Sequence, residues 1–142
     1  MDIIKEDCIF CRIVLKQTPS NIVYEDDVVM AFLDVDPVSE GHTLIIPKSH
    51  ADDIFDIDEN TLAQVVKLSK RISIKILSVL ECEGINIIQN NKEAAGQIIR
   101  HYHMHIIPRW KNDGFRSLYA ESPPEKDLFS ILGETTNKIK LQ

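Results

Sequence analysis

Three histidines alternate with apolar residues along the chain, because Tyr102 and Met104 separate His101, His103 and His105. In an extended strand, residues two apart point to the same face and repeat every ~6.6–7 Å. One face of such a strand would carry only imidazoles, while the other could enter a core. A polar sheet face is costly to bury without a partner. The pattern therefore predicts a functional strand that faces a polar, charged or metallic group, in preference to a purely structural hydrogen-bonded cluster.

The overall composition is typical of a single soluble domain. The chain has 142 residues, 44% of them hydrophobic and 27% charged. A chain of this length and composition can bury a core without stabilisation by disulfides or metals. Its apolar runs are far too short to span a bilayer. The first residues lack a basic start and an apolar signal core, so we expect no export. The prediction is a cytoplasmic protein with no membrane partner.

The net charge and the cysteine content further limit the kinds of ligand that the protein can bind. The net charge of −6 argues against a sequence-independent grip on long nucleic acid, although a small phosphate ligand remains compatible with it. The cysteines are Cys8, Cys11 and Cys82, one close pair and one distant residue. This usage suits a reducing cytoplasm and leaves the pair free to bind metal.

Hydrophobic spacing predicts an α+β fold, with a mostly antiparallel sheet of about five strands around one long helix. In chain order, we expect a short helix over residues 9–16, strands over 21–25, 28–33 and 43–47, a long helix from Asp56 or Asp58 to Gly84, a strand over 85–89, a polar loop over 90–96 and the histidine strand over 98–108. After Trp110 the sequence becomes rich in glycine, proline and charge, with a last helical stretch over 125–139. We therefore expect one domain over residues 1–110 and a C-terminal extension over 111–142.

Two kinds of chemistry fit the histidines. In one, His103 attacks phosphorus and holds a covalent nucleotidyl group, while its neighbours fix its tautomer and help the leaving group depart. In the other, the three histidines hold a catalytic metal with an open position. The end residues of the triad are separated by ~13 Å along a strand, which strains a three-ligand site. The geometry therefore favours His103 as a nucleophile over a catalytic metal held by all three histidines.

Polar residues near the histidines could hold the substrate. The pair Gly96-Gln97 would let the backbone approach a ligand and would place an amide near phosphate oxygens. Asn90 could do the same, or it could simply form a turn. Asp34 ends an apolar strand, where it could accept both hydroxyls of a ribose or stand as an ordinary carboxylate before a turn.

Together these residues resemble the histidine triad (HIT) superfamily of nucleotide hydrolases and transferases. The superfamily signature is His-φ-His-φ-His-φ-φ, with φ apolar, and residues 101–107 match it in full. The likeness runs from residue 7 to residue 109. It includes residues 8–13, 24–27, 31–34 and 41–50 and the pair Gly96-Gln97. Within the superfamily, the chain is most similar to bacterial members of the nucleotide-binding branch.

The resemblance implies a HIT fold over residues 1–110 and a homodimer whose long helices and edge strands join two sheets into one. The extension over 111–142 would pack on or near the active site or the dimer interface. The resemblance also implies that His103 attacks the α-phosphorus, that His105 contacts a bridging or phosphoryl oxygen, and that His101 supports His103. Substrates would be purine nucleoside phosphoramidates, nucleotidyl adducts or dinucleoside polyphosphates, with no catalytic metal required.

The nucleotide contacts are also implied by the resemblance. Asp34 would bind the ribose, with the purine enclosed by Ile9, Phe10, Thr18 and Phe32 and the phosphate contacted by Asn90, Gly96, Gln97 and Ile98. One position departs from the pattern, because many relatives have Ser or Thr where this chain has Ile98. Its backbone N–H can still donate to phosphate, but a hydroxyl that could protonate a leaving amine is missing.

The close cysteine pair has the Cys-x-x-Cys spacing of a zinc knuckle but supplies only two ligands. His50 and His101 are candidates for the other two, and related bacterial proteins imply such a structural Cys2His2 zinc site. A redox dithiol or two small buried residues are the alternatives. We expect Cys82 to be a packed residue, and His42 to lie at the sheet edge or an interface.

The sequence therefore predicts an enzyme that hydrolyses or transfers the nucleotidyl group of purine nucleotides. Two alternatives remain open. One is a nucleotide-binding regulatory module with little turnover, and the other is a metal-dependent phosphodiesterase.

Overall fold

A computed structural model describes residues 2–115 and 128–141. Within these residues, five strands form one sheet in the order β1-β2-β3-β5-β4, and every neighbouring pair is antiparallel. The elements are α1 (Ile9–Val14), β1 (Ile22–Glu25), β2 (Val29–Leu33), β3 (Thr43–Pro47), α2 (Glu59–Leu80), β4 (Gly84–Gln89), β5 (Met104–Arg109) and α3 (Leu128–Ile139). The predicted α+β class is confirmed, with one long helix and short terminal helices.

The sheet separates two apolar clusters. On one face, Met104 and Ile106 of β5 pack in a cluster with the buried side of α2. On the other, Leu44 and Ile46 of β3 pack in a cluster with α1. Because Leu44 pairs with His105 across the antiparallel ladder, His105 points to the α1 face. The alternation seen in the sequence thus places an imidazole on the α1 face and apolar side chains under α2.

The histidine strand is shorter than predicted. We expected it over residues 98–108, but β5 begins at Met104, so His101 and His103 lie before the strand. The backbone N–H of Tyr102 donates to the carbonyl of Ala51, at 2.7 Å, and not to a neighbouring strand. β3 continues to Pro47, but its ladder with β5 ends at the pair Ile45 and Met104.

The long helix begins at one of its two predicted caps but ends earlier than predicted. Its N-cap is Asp58, whose carboxylate accepts the N–H of Thr61, so Asp58 and not Asp56 is the cap. It ends before Glu81, which adopts the left-handed conformation with φ 50°. Gly84, predicted as the stop, is instead the first residue of β4.

The C-terminal extension contains α3, and residues 125–127 of its predicted helix lie outside the described residues. Described side chains from residue 131 to residue 141 are exposed within a single chain. The expected packing of residues 111–142 therefore remains a prediction. No described helix has the length and apolar character needed to cross a membrane.

Candidate active site and metal centre

The three imidazoles of the triad lie in a row on the α1 face. The ring centroids of His103 and His105 are 4.9 Å apart. Phe10, from α1, meets the rings of His103 at 5.3 Å and His101 at 5.8 Å, edge to face. The prediction that the three side chains share one face is confirmed, although only His105 belongs to β5.

A single hydrogen bond orients His103. Its Nδ1–H donates to the carbonyl of His101 at 2.7 Å, which leaves the lone pair of the neutral ring on Nε2. No described residue forms a hydrogen bond with that Nε2. Burial lowers the pKa of His103, so the ring stays neutral at pH 7. Its 8% exposed surface keeps a path to solvent. The arrangement is that of an available nucleophile.

His42 orients His105, but with the opposite placement of the proton. The backbone N–H of Val38 donates to His42 Nδ1 at 3.0 Å, so a neutral His42 carries its proton on Nε2. That Nε2 lies 2.9 Å from Nδ1 of His105 and 3.6 Å from a carboxylate oxygen of Asp34. His105 therefore accepts at Nδ1 and retains its own proton on Nε2. Its Nε2–H is available to donate to a ligand.

The sequence did not reveal the position of His42. We expected it at the sheet edge or an interface, but it is 3% exposed and lies against His105. Gly41 adopts φ +88°, and a Cβ there would collide with Leu80. Only the pairing register of β3 with β5 brings His42 to the triad, and that register cannot be read from local spacing.

The predicted zinc ligands converge. Nδ1 of His101 lies 3.4 Å from Sγ of Cys8 and 3.6 Å from Sγ of Cys11. Nδ1 of His50 lies 3.4 Å from Sγ of Cys11. All four ligand atoms lie within 4.8 Å of one another, and all four residues are buried. The cysteines are free thiols.

The geometry of this cluster fits a tetrahedral metal. Bonds of about 2.3 Å to sulfur and about 2.1 Å to nitrogen separate the two ligand atoms by about 3.6 Å, close to the separations in the cluster. Nε2–H of His101 donates to the carbonyl of Pro47, and Nε2–H of His50 donates to Asp52, both at 2.8 Å. Each Nδ1 therefore presents its lone pair to the cysteines. Burial also raises the pKa of Cys11, and a bound cation would offset that cost of the thiolate.

The histidine tripod is not supported. Among the described residues, the groups with converging ligand atoms are the Cys2His2 cluster and Asp34, His42 and His105. In the second group, the Val38 N–H occupies Nδ1 of His42, where a metal-bound neutral imidazole would need a proton. The triad is therefore divided: His101 faces the cysteines, and His103 and His105 lie outside that cluster.

The expected purine contacts are only partly assembled. Phe32 and Phe10 are buried with ring centroids 5.5 Å apart, next to His103. Ile9 begins α1 and is 45% exposed. Thr18 lies in the turn after α1, where its N–H donates to a backbone carbonyl, and no described contact joins it to the triad.

The loop before the triad gives Gln97 a different role from the expected phosphate contact. Its amide NH₂ donates to the carbonyls of Asp52 and Ile99, and its oxygen accepts the N–H of Lys92. These bonds hold the loop closed and leave no free amide proton for phosphate. Gly96 adopts φ +89°, beside the amide of Asn90. Ile98 projects outward and is 91% exposed.

Comparison with known proteins identifies the class of this fold and site. The HIT domain matches residues 15–112. An adenosine 5′-monophosphoramidase of Candida albicans is 36% identical over 137 residues, 94% of this chain and 89% of the relative. A HIT family member from Bacillus subtilis has a crystal structure with TM-score 0.81 and 39% identity, covering 96% of this chain and 100% of the other.

A Zn-bound histidine triad family protein from Mycobacterium smegmatis has TM-score 0.73 and 32% identity, covering 93% of this chain and 97% of the other. The fold and the triad are thus those of the HIT proteins, a class that includes nucleotide-binding members and hydrolases. The chain belongs to the HIT domain family.

We predict that the imidazole of His105 titrates far below the ordinary histidine value. Burial, with repulsion from His103 and His42, lowers its pKa from 6.5 to about 4, so the ring stays neutral as pH falls through 6.5. An NMR titration of the ring nitrogens checks this. The variant His42→Gln keeps a donor toward His105 but removes a ring that can become positively charged, and should raise the pKa of His105. A wild-type value near 6.5 would contradict the prediction.

Proposed function

We propose that this protein hydrolyses or transfers the nucleotidyl group of purine nucleotides through a covalent nucleotidyl-histidine intermediate. The observation that carries the proposal is the orientation of His103. Its Nδ1–H is bound to a backbone carbonyl, so a neutral, nearly buried ring keeps a free Nε2 lone pair. A phosphoramidase among the relatives supports the substrate class.

In the first step, Nε2 of His103 attacks the α-phosphorus, and the bond from phosphorus to the leaving group breaks. The imidazolium that results is stabilised by the carbonyl of His101 through the Nδ1–H. Nε2–H of His105 donates to a phosphoryl or bridging oxygen, where negative charge develops. Water or another acceptor then attacks phosphorus, and the bond to His103 breaks to release the nucleotide.

The proposed nucleotide site uses the same face of the sheet. Asp34 would bind the ribose, and Ile9, Phe10, Thr18 and Phe32 would enclose the purine. The backbone N–H of Ile98, with the amide of Asn90, would contact the phosphate, and Gly96, whose own N–H donates to the carbonyl of Glu93, would let the backbone come close to it. A binding module with little turnover uses the same contacts, but it does not need the free Nε2 of His103.

We predict that His103→Ala lowers kcat for a fluorogenic adenosine phosphoramidate by several orders of magnitude while AMP still binds. Removal of a covalent nucleophile blocks the chemical step but leaves the purine and ribose contacts in place. Stopped-flow turnover and calorimetric binding of AMP are the measurements. After a rapid quench, mass spectrometry should find a nucleotidyl adduct on wild-type His103. Wild-type turnover in the variant would refute the nucleophile, and absent wild-type turnover would favour the binding module.

We also propose that Cys8, Cys11, His50 and His101 bind one structural zinc ion. The separations of their ligand atoms and the fixed tautomers of both histidines support a tetrahedral metal over a redox dithiol. Zinc would tie α1 to the segment before β5 and immobilise the ring of His101, leaving His103 free. No catalytic metal is needed. Reduced thiolates at this site fit a cytoplasmic location.

We predict that the purified protein carries one zinc ion per chain and that Cys11→Ser loses it. Loss of a structural zinc removes folding free energy, so Tm should fall by about 10 °C or more. Elemental analysis and thermal unfolding are the measurements, with Cys82→Ser as the control, since Cys82 is buried away from the cluster. A metal-free wild type with a Cys8–Cys11 disulfide would instead indicate a dithiol. Chelation should lower Tm before it changes turnover, unlike in a metal-dependent phosphodiesterase.

We further propose a homodimer in which β4 and α2 meet their counterparts in a second copy. Among the described residues, β4 pairs only with β5, so its outer edge is open. Leu77, on α2, and Ile87, on β4, are 50% and 49% exposed. Ser73, on the same flank of α2 as Leu77, has a buried hydroxyl without a hydrogen-bond partner among the described residues. The opposite flank, beside β1, carries Arg71 and other cations. In this proposal, the extension over 111–142 packs near this interface or near the active site.

We predict that the wild-type protein is a dimer and that Leu77→Glu shifts it toward monomer. A charge buried at an apolar interface costs several kcal/mol. Analytical ultracentrifugation measures the mass. The control is Val23→Glu, which changes a similarly exposed residue, 48%, on β1 at the other sheet edge. A monomeric wild type, or equal effects of both substitutions, would refute this interface.

A further inference from the structure

A groove runs between the edge strand β1 and the neighbouring flank of α2. It consists of two adjoining cavities of about 160 and 240 Å³, which share Arg71. The first cavity reaches Asp26 and Lys67, and the second reaches Val23 and Lys75. The groove therefore follows both elements, since it extends back along β1 as it advances along α2.

Cations form one rim of this groove, and aliphatic side chains form its floor. Lys67, Arg71 and Lys75 recur at every fourth position of α2, so they lie in one row about 6 Å apart along the helix. All three are exposed. The aliphatic residues that line the groove are Val23, Val29, Leu68, Ile72 and Ile76.

The three cations of this row have no anionic partner within the described part of the chain. No ion pair there includes Lys67, Arg71 or Lys75. Like charges four residues apart on a helix repel one another, so the row destabilises the free protein. Although the net charge of the chain is −6, α2 carries four of its sixteen basic residues and one acidic residue, Glu59. An anionic ligand in the groove would offset this repulsion.

The wall of the groove holds one cation in place and keeps its own carboxylate occupied. The guanidinium of Arg71 lies over the ring of Tyr24, 5.3 Å from the ring centroid. Oδ1 of Asp26 accepts the N–H groups of Val28 and Val29, and Oδ2 accepts the hydroxyl of Tyr24. Asp26 is therefore engaged within its own turn and competes little for the cations.

The chemistry of the groove limits what can occupy it. A single phosphate would span only part of the row, since Lys67 and Lys75 are about 12 Å apart along the helix. A second copy related by twofold symmetry would place like charges against each other. Nucleic-acid strands bind largely by stacking bases on aromatic rings, and Arg71 covers the ring of Tyr24. An extended peptide fits better, because its residues two apart repeat every ~6.6–7 Å, close to the spacing of the cations.

We propose that this groove binds an acidic segment of a partner protein in an extended conformation. Carboxylates at alternate positions of the segment would accept hydrogen bonds from Lys67, Arg71 and Lys75. The aliphatic residues between them would face the β1 side, where Val23 is 48% exposed. The groove lies on the α2 face of the sheet and the histidine triad on the α1 face, so this inference does not depend on the proposed function.

The test measures the binding of a fluorescein-labelled peptide in which glutamate and valine alternate, by fluorescence anisotropy. We expect a dissociation constant on the order of 100 µM that rises with salt, because exposed ion pairs are weak and screened. The same peptide with glutamine in place of glutamate should bind about 10-fold more weakly or worse. An oligothymidylate of equal charge should also bind more weakly than the glutamate peptide.

Variants locate the binding to the groove. The double variant Lys67→Glu with Lys75→Glu should weaken peptide binding by about 10-fold or more. The matched control, Lys70→Glu with Lys111→Glu, changes the net charge equally at exposed cations that do not line the groove, and should stay within about twofold of wild type. The milder change Arg71→Gln should weaken binding about threefold and guards against a loss of fold in the charge reversals.

Three results would overturn the inference. The first is no binding of the glutamate peptide at about 1 mM. The second is equal weakening in both double variants, which is a response to net charge alone. The third is tighter binding of the oligothymidylate, which would indicate a nucleic-acid surface. Thermal unfolding and turnover of an adenosine phosphoramidate should be unchanged in the control and in Arg71→Gln, so a failure here is distinct from a failure of the proposed function.

Discussion

The hydrogen bond from His103 Nδ1–H to the carbonyl of His101 is the interaction on which the site depends. It selects the tautomer of His103 and leaves the lone pair on Nε2, which has no hydrogen-bond partner among the described residues. The carbonyl can do this only if residue 101 is itself immobile. Its ring is held by the carbonyl of Pro47 on one side and faces the thiols on the other. His101 thereby joins the Cys2His2 cluster to His103, the proposed nucleophile.

Burial on the α1 face sets the charge of these imidazoles. Their pKa values all lie below 6.5, and desolvation is the largest cause for each of the three triad residues. Adjacent rings could not be charged together at such distances, so neutrality is also what lets them pack. A neutral chain of donors and acceptors then runs from the Val38 N–H through His42 to His105. Packing and proton position are consequences of the same burial.

Local patterns predicted much of this arrangement, and long-range register determined the rest. Alternation placed the triad on one face, and Cys-x-x-Cys spacing marked half of the metal centre. The predicted start of β5 was wrong because the N–H of Tyr102 donates to the carbonyl of Ala51, which lies 51 residues earlier in the sequence. The roles of His42 and Gln97 could not be predicted for the same reason. Each depends on which segment folds against which, and polar side chains alone do not encode that.

The net charge of the chain bears on which anionic ligands the protein can bind. A net charge of −6 would repel an anionic substrate at long range, and ionic screening limits that repulsion to about 8 Å at physiological salt. The acidic surface therefore opposes long polyanions, which span many Debye lengths. The net charge does not by itself exclude a small phosphate ligand, which is the kind of ligand that the proposed function requires.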